Sequence, residues 1–210
     1  MTAVLVFAKA PVPGEVKTRL ASVLGAAGAA ALHERLVGRT LATAAAAAAG
    51  PVELCCGPDA SHPALAALAR AHGAMLTAQG PGDLGDRMNA AFRRALAGAP
   101  AAIVIGCDCP ALTPDHLREA AGALDEGADA VLAPAEDGGY VLIGLARVAG
   151  ALFAGIRWGE SSVLADTRER LAALGWRWRE LPTLWDVDRP EDLGRLRREI
   201  AGGASLVDAP

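Results

Sequence analysis

Aromatic side chains are scarce in this chain of 210 residues, as are long apolar runs and any large excess of one charge. Aromatics make up 4% of the residues, so the core must be built mainly from the aliphatic side chains within its 52% hydrophobic content. The formal net charge of −4 supplies no basic surface for nucleic acid, which argues against that class of partner. We therefore predict small-molecule partners.

Cysteines are also few, and their spacing argues against a disulfide-stapled secreted domain. They occur as two close pairs, Cys55 with Cys56 and Cys107 with Cys109. A Cys-x-Cys segment around an acid would suit zinc, but a second Cys or His cluster at zinc spacing is lacking in the sequence. Buried thiols in a reduced protein are the favoured interpretation.

Neither a secretory signal nor a membrane span is predicted. The first apolar run has no basic region before it and is followed by Lys9, which indicates a first strand. The alanine run at 44–49 lies in a helix that we predict to be too short and too weakly apolar to cross a bilayer, since a span takes about 20 residues. A cytoplasmic protein that does not enter membranes is predicted, and homo-oligomerisation is left open.

Apolar runs of strand character alternate with helical patterns along the chain. Strands are predicted at 4–7, 52–56, 75–77, 102–105, 130–132, 141–145 and 176–181. Helices are predicted at 17–24, 28–49, 63–71, 86–96, 114–125, 162–174 and 190–200. The alternation predicts one α/β domain at 1–201, with a Rossmann-like, doubly wound, mostly parallel sheet of about seven strands and a C-terminal tail at 202–210. Ligands of such a sheet bind at the carboxyl ends of its strands.

The loop after the first predicted strand is basic and stiff. Two prolines restrict it, and Gly14 lets the backbone approach a ligand closely. Lys9, Lys17 and Arg19 place cations beside the start of a helix, where phosphate binds readily. Basic residues are unfavourable at that end of a helix, so phosphate binding is favoured over a solvated first turn. The spacing does not match a Walker P-loop.

A glycine-rich segment at 80–85 formally matches the dinucleotide-binding pattern G-x-G-x-x-G. It follows the third strand and not the first, and Asp83 and Asp86 would lie against a pyrophosphate, so NAD and FAD are disfavoured. A loop that approaches the base or sugar of a nucleotide, continuing into Arg87 and Asn89, is the favoured interpretation. A plain structural turn is the alternative.

Acidic residues end the most strand-like run and precede the last predicted helix. Asp108 follows the run at 103–105, and Asp186 and Asp188 stand just before Pro190. Carboxylates gathered at a sheet edge are ligands for Mg²⁺, which also bridges substrate phosphates. We predict Asp108, Asp186 and Asp188 as ligands of Mg²⁺ (or Mn²⁺). Asp186 is the stronger candidate of the last two, because Asp188 is close enough to cap the helix.

A further polar segment lies between the fifth and sixth predicted strands. Its paired glycines permit a hairpin, and otherwise the segment faces an acceptor pocket. Ser161 and Ser162 precede a helix and are assigned to the same pocket, with N-capping by Ser161 as the alternative. The four histidines are predicted to lie at the surface. The acceptor-pocket residues of the segment are Glu136, Asp137, Gly138, Gly139 and Tyr140, of which Asp137 and Glu136 are candidates for activating an acceptor hydroxyl.

Five motifs, in order, resemble a known bacterial family, the GT-A-fold transferases known as rSAM/selenodomain-associated or arsenosugar-type glycosyltransferases. The resemblance covers nearly the whole chain. It implies the nucleotide-diphospho-sugar transferase fold and a reaction between a nucleotide-sugar and a small acceptor. The motifs are Phe7-Ala-Lys-Ala-Pro-Val-Pro-Gly-Glu-Val-Lys-Thr-Arg-Leu20, Gly82-Asp-Leu-Gly-Asp-Arg-Met88, Gly106-Cys-Asp-Cys-Pro110, Glu136-Asp-Gly-Gly-Tyr140 and Asp186-Val-Asp-Arg-Pro-Glu-Asp-Leu193.

A weaker resemblance points to guanylyltransferases that activate phospholactate or phosphoenolpyruvate. It implies that Asp108 and Asp186 bind Mg²⁺ and that Lys17 and Arg19 contact the phosphates of an NTP donor. The segment at 136–140 departs from that pattern and fits the first family better. The predicted function is Mg²⁺-dependent transfer from a nucleotide-activated donor, with glycosyl transfer favoured and nucleotidyl transfer as the alternative. A non-catalytic nucleotide-binding module is a third alternative, because a shared fold does not fix a reaction.

Overall fold

A seven-stranded sheet forms the centre of the protein in a computed structural model that describes residues 1–208. The strand order is β3-β2-β1-β4-β6-β5-β7, and β6 runs antiparallel to its neighbours β4 and β5 while the other pairs are parallel. The prediction of a mostly parallel sheet is confirmed. The strands are β1 Ala3–Lys9, β2 Val52–Gly57, β3 Met75–Ala78, β4 Ala102–Gly106, β5 Ala130–Pro134, β6 Tyr140–Leu145 and β7 Trp178–Glu180.

Helices cover both faces of this sheet. Side chains alternate along a strand, so Val4 and Val6 of β1 face one layer while Leu5 and Phe7 face the other. The first layer contains α1, α2 and α4, and the second contains α3 and α5. The helices are α1 Ala21–Ala47, α2 Pro63–Ala71, α3 Leu84–Leu96, α4 Pro114–Asp125, α5 Val163–Ala173, α6 Pro190–Glu199 and α7 Gly203–Asp208, with short 3₁₀ turns at Thr18–Leu20 and Gly150–Leu152.

The first helix corrects one prediction. We predicted a helix at 28–49 too short to span a bilayer, but α1 has 27 residues, and the segment Thr18–Ala47 is long and apolar enough to do so by length and composition. Gly25 at φ 69° interrupts it, so α1 consists of two helical stretches joined by a kink, in agreement with the two stretches predicted at 17–24 and 28–49. Leu36 and Leu41 of α1 are fully buried, and the helix packs on β1, α2 and α4.

The predicted tail at 202–210 contains a helix that was not predicted. Val207 of α7 is buried in a small apolar cluster with Trp185 and residues of α1 and α6. Residues 209–210 lie outside the described residues.

The topology gathers three loops at one edge of the sheet. β1 and β4 are parallel neighbours, with Phe7 paired to Gly106, so the loops that follow them start side by side. The segment after β7 returns to the same edge, where Ala135 bridges Leu184. The Val187 amide donates to the Asp108 carbonyl at 2.8 Å. The predicted acids of both segments are therefore brought together.

Candidate active site

Asp108 and Lys17 form an ion pair at the carboxyl edge of the central strands. Lys17 Nζ lies 2.6 Å from Asp108 Oδ1 and also donates to the Val187 carbonyl. The Lys17 side chain is only 5% exposed, whereas that of Asp108 is 48% exposed. Burial opposes the charge on Asp108, but the Lys17 ammonium outweighs it and holds the pKa of the carboxyl below its ordinary value. Lys17 is thus directed at Asp108 and not into solvent.

Three carboxylates converge on a small cavity beside this pair. The cavity has a volume of about 140 Å³, and Asp108, Asp137 and Asp186 all line it together with Cys109 and Tyr140. Burial, followed by the charges of Asp137 and Asp108, raises the pKa of Asp186 to about 6. A set of clustered carboxylates that repel each other suits a hard divalent cation, because the cation supplies the missing positive charge. The donor set therefore fits the predicted Mg²⁺ or Mn²⁺.

Asp188 lies outside that cavity and is engaged elsewhere. Its carboxylate pairs with the exposed guanidinium of Arg19. Capping of α6 by Asp188, the alternative considered from the sequence, is not what the structure shows. Arg189 occupies the N-cap position, and the Asp192 carboxylate in the first turn of α6 accepts from the Asp188 amide at 2.9 Å and the Arg189 amide at 2.6 Å.

A cleft of about 620 Å³ opens next to the Lys17 and Asp108 pair. Four of the predicted nucleotide-binding side chains line it. Gly14 lies in the adjoining loop at φ 87°, and Asn89, on α3, faces Gly150. Neither of these two residues lines the cleft. The four are Lys9, Lys17, Arg19 and Arg87.

Two residues that line this cleft were not predicted from the sequence as site residues. His33 is 4% exposed, so its predicted surface location is wrong, and its Nε2 lies 3.0 Å from the Lys9 carbonyl. Its spacing from Val37 and Thr40, both buried on α1, was the available signal. Gln79 is buried after β3 and donates to the Ala8 carbonyl at 3.2 Å, so it ties β3 to β1.

The glycine-rich segment at 80–85 serves as a helix start. The Asp83 carboxylate accepts from the Asp86 amide at 2.9 Å, and the Asp86 carboxylate accepts from the Asp83 amide at 3.2 Å. This capping box places two acids at the N-terminus of α3, where a pyrophosphate would otherwise bind. Arg87 Nε donates to the Gly82 carbonyl at 3.0 Å, which directs the guanidinium along the first cleft.

A second cleft, of about 400 Å³, shares Asp137 and Asp186 with the acid cavity. Asp137, Ser161 and Asp186 line it together with Glu136, which is held by Arg195 at 2.8 Å. The segment at 136–140 forms the turn between β5 and β6, so the hairpin alternative is what the structure shows. That turn nevertheless places Asp137 against both the acid cavity and the second cleft.

The remaining predicted acceptor residues serve the backbone of this region. The Gly139 amide donates to Asp137 Oδ1 at 2.9 Å, and the Gly138 carbonyl accepts from the Leu164 amide at 2.9 Å. Ser162 occupies the N-cap of α5 and bonds the Asp166 carboxylate at 3.1 Å, so the predicted capping by Ser161 is wrong.

Gly138→Ala should destabilise the turn that carries Asp137. Gly138 has φ 92°, and a Cβ there would lie 2.2 Å from the Ser161 carbonyl oxygen. We expect the free energy of unfolding, measured by urea denaturation, to fall by about 1–3 kcal/mol. Gly122→Ala is the matched control, because it lies within α4 with open space around its Cβ. It should be neutral or stabilising by up to about 1 kcal/mol, and equal losses in both variants would contradict this assignment.

Comparison with known proteins shows the family to which the chain belongs. A family model described as "Uncharacterized protein conserved in bacteria (DUF2064)" matches residues 40–160. A crystal structure of a candidate nucleotide-diphospho-sugar transferase from Desulfovibrio desulfuricans G20 is 31% identical, with a TM-score of 0.87 over 99% of this chain and 94% of that one. No curated protein matches the chain.

Two more distant structures share the fold. CMP:2-keto-3-deoxy-manno-octonic acid synthetase, complexed with CTP, is 14% identical with a TM-score of 0.56, over 94% of this chain and 97% of that one. Glucosyl-3-phosphoglycerate synthase from Mycobacterium tuberculosis, in complex with Mn²⁺, UDP and phosphoglyceric acid, is 14% identical with a TM-score of 0.52, over 100% of this chain and 79% of that one.

The predicted nucleotide-diphospho-sugar transferase fold is therefore confirmed, and it extends over nearly the whole chain. The family model covers more than half of the sequence, from within α1 to the loop before α5, and so includes Asp108 and the turn that carries Asp137. On this evidence the chain belongs to the DUF2064 family.

Proposed function

We propose that this protein is a divalent-metal-dependent transferase that moves a glycosyl group from a nucleotide-diphospho-sugar to a small acceptor. One observation carries the proposal. Three carboxylates, Asp108, Asp137 and Asp186, line a cavity that shares Asp108 with the first cleft, where four cationic side chains lie, and shares Asp137 and Asp186 with the second cleft. A donor and an acceptor bound in the two clefts would meet at the acids.

The first cleft suits the nucleotide diphosphate. Lys9, Arg19 and Arg87 line it and provide positive charge for phosphate oxygens. Lys17 is fixed beside Asp108, so its ammonium would provide further positive charge for a phosphate bound next to that acid. The nucleotide complexes known for other proteins of this fold, with CTP and with UDP, support this choice of donor.

The residues that would hold the metal are Asp108 and Asp186. Asp137 lies beside them. When bound, Mg²⁺ or Mn²⁺ supplies electrostatic stabilisation of the departing diphosphate, an effect that is generally worth several kcal/mol. The Mn²⁺ present with UDP in the complex of glucosyl-3-phosphoglycerate synthase supports the choice of a divalent ion. Asp188 would act indirectly, since it fixes Arg19 at the boundary of the two clefts.

The protein's own contribution to the acceptor is orientation and proton removal. Asp137 is the candidate base, because it faces the second cleft while the Glu136 carboxylate is engaged in an ion pair with Arg195. One of its oxygens accepts from the Gly139 amide, which fixes the carboxylate and leaves the other oxygen for an acceptor hydroxyl. Ser161 lines the same cleft and can hydrogen-bond the acceptor.

Nucleotidyl transfer is the second candidate, and the position of Lys17 favours it. A buried ammonium 2.6 Å from a metal-binding carboxylate is well placed to neutralise charge on an α-phosphate under attack. In that case an NTP fills the first cleft and pyrophosphate leaves.

A thermal-shift panel of NTPs and nucleotide-sugars, each with Mg²⁺ and with EDTA, tests the proposal. A ligand that binds only the folded state adds about 2.7 kcal/mol of stability at a concentration of a hundred times its Kd, and this raises the melting temperature. We expect Mg²⁺-dependent stabilisation by a nucleotide-sugar and not by its NTP. Preference for an NTP would support nucleotidyl transfer. No shift with any ligand would contradict both candidates.

A further inference from the structure

We propose that His33, Cys107 and Asp108 form a second metal site, for a soft transition ion such as Zn²⁺, on the wall of the first cleft. The site differs from the acid cavity in its chemistry, because it combines an imidazole and a thiolate with one carboxylate. Thiolate and imidazole ligands select zinc-like ions, whereas Mg²⁺ prefers oxygen ligands. Sequence spacing could not indicate it, since His33 lies on α1 and the other two ligands follow β4.

The three donor atoms form a nearly equilateral triangle. Cys107 Sγ lies 4.0 Å from His33 Nδ1 and 3.8 Å from Asp108 Oδ1, and the last two atoms are 4.0 Å apart. The centre of such a triangle is about 2.3 Å from each corner, the side divided by √3, close to the zinc bond lengths of roughly 2.0–2.3 Å. The ion therefore needs contractions of only a few tenths of an ångström.

The tautomer of His33 is set for metal binding. Its Nε2 lies 3.0 Å from the Lys9 carbonyl, which can only accept, so Nε2 carries the proton. The lone pair of Nδ1 therefore faces Cys107 and Asp108. An imidazole whose second nitrogen donates to a backbone carbonyl is the usual outer-shell arrangement of a metal-binding histidine.

The fourth coordination position opens toward the cleft. His33 and Cys107 are each 4% exposed, and all three ligands line the 620 Å³ cleft. A water molecule from the cleft can complete a tetrahedral site with three protein ligands. Binding releases the Cys107 thiol proton to solvent, since the thiolate is the ligand.

Lys17 competes with this ion for one oxygen. Its ammonium lies 2.6 Å from Asp108 Oδ1, the same atom that belongs to the triangle. Occupation of the soft site withdraws Asp108 from Lys17 and from the acid cavity. If the proposed function holds, zinc would therefore inhibit the transferase by removing one ligand of its catalytic metal.

Titration of the metal-free protein with Co²⁺ tests the site without any nucleotide. Cobalt bound by Cys107 should give a thiolate-to-cobalt charge-transfer absorption that saturates at one ion per chain and is displaced by Zn²⁺. Cys107→Ser should abolish the band. Cys109→Ser is the matched control, because Cys109 is equally buried, lines the acid cavity and lies outside the triangle; it should retain the band.

Two further variants keep the result interpretable. His33→Gln leaves the thiol in place and should weaken cobalt binding at least tenfold. Lys17→Met removes the competing ammonium and should strengthen it at least tenfold. Absence of the band in the wild type, or its survival in Cys107→Ser, overturns the proposal. A silent nucleotide panel beside a positive cobalt titration would contradict only the proposed function, because cobalt binding requires no substrate.

Discussion

Asp108→Asn should abolish metal-dependent nucleotide binding, with a loss in affinity for the metal–nucleotide complex of about 10³-fold, in line with the several kcal/mol that such a metal provides. Asn keeps the shape of the side chain but removes the charge that both the divalent ion and Lys17 require. Calorimetric titration with the nucleotide found in the thermal-shift panel, with Mg²⁺ and with EDTA, measures the effect. The loss should appear only in the presence of metal.

Loss of the ion pair has a structural cost that must be separated from the metal effect. In Asp108→Asn the buried Lys17 ammonium keeps the Val187 carbonyl but loses its counter-charge, which destabilises the fold. The double variant Lys17→Met/Asp108→Asn removes the unpaired cation and should recover part of the stability. It should not recover metal-dependent binding.

Asp115→Asn is the control for the change in net charge, since Asp115 is 87% exposed in a surface pair with Arg118 on α4. It should bind nucleotide as the wild type does. Retention of full Mg²⁺-dependent affinity by Asp108→Asn would show that the acid is a structural partner of Lys17 and not a metal ligand.

Local patterns were enough to predict the elements of the fold. The bounds of α2 and α4 match the prediction because each begins with proline at its first position, and the apolar runs of β1, β2 and β4 are short and sharply ended. α7 was missed because it is six residues long and depends on packing of Val207 against α6 and α1. Such tertiary stabilisation leaves no periodic signal in so short a segment.

Site residues could be predicted where their position follows from the end of a strand. They could not be predicted where their position depends on a side-chain partner distant in the sequence. Asp108 lies two residues after the end of β4, so its place at the carboxyl edge follows from the strand pattern alone. Pairing of Arg19 with Asp188 joins residues 169 positions apart, and burial of His33 depends on which face of α1 meets the sheet. Neither the pairing of Arg19 nor the burial of His33 could be predicted from the sequence, because side-chain rotamers and the rotation of α1 about its axis are determined by packing.

Asp186→Asn should stabilise the metal-free protein at neutral pH and remove its response to metal. The carboxyl has a pKa of about 6, raised by burial and by the charges of Asp137 and Asp108. Because the folded state binds its proton more tightly than the unfolded state, this group makes stability fall as pH rises from about 4 to about 6, and the loss persists above pH 6. Asn carries no charge and avoids that loss.

Melting curves at about pH 5 and about pH 8, with and without Mg²⁺, measure this prediction. Since the carboxylate is partly exposed to solvent, screening limits the gain at pH 8 to about 1 kcal/mol, or about 2–4 °C in melting temperature for a domain of this size. The gain should shrink at pH 5, where the wild-type group is largely protonated. Mg²⁺ should raise the melting temperature of the wild type at pH 8, because it neutralises the repulsion among the three acids, and should leave the variant unchanged. A variant that melts below the wild type at pH 8 without metal would mean that the Asp186 carboxylate is stabilised by contacts within the protein. Repulsion among the three acids would then no longer support a metal at the acid cavity.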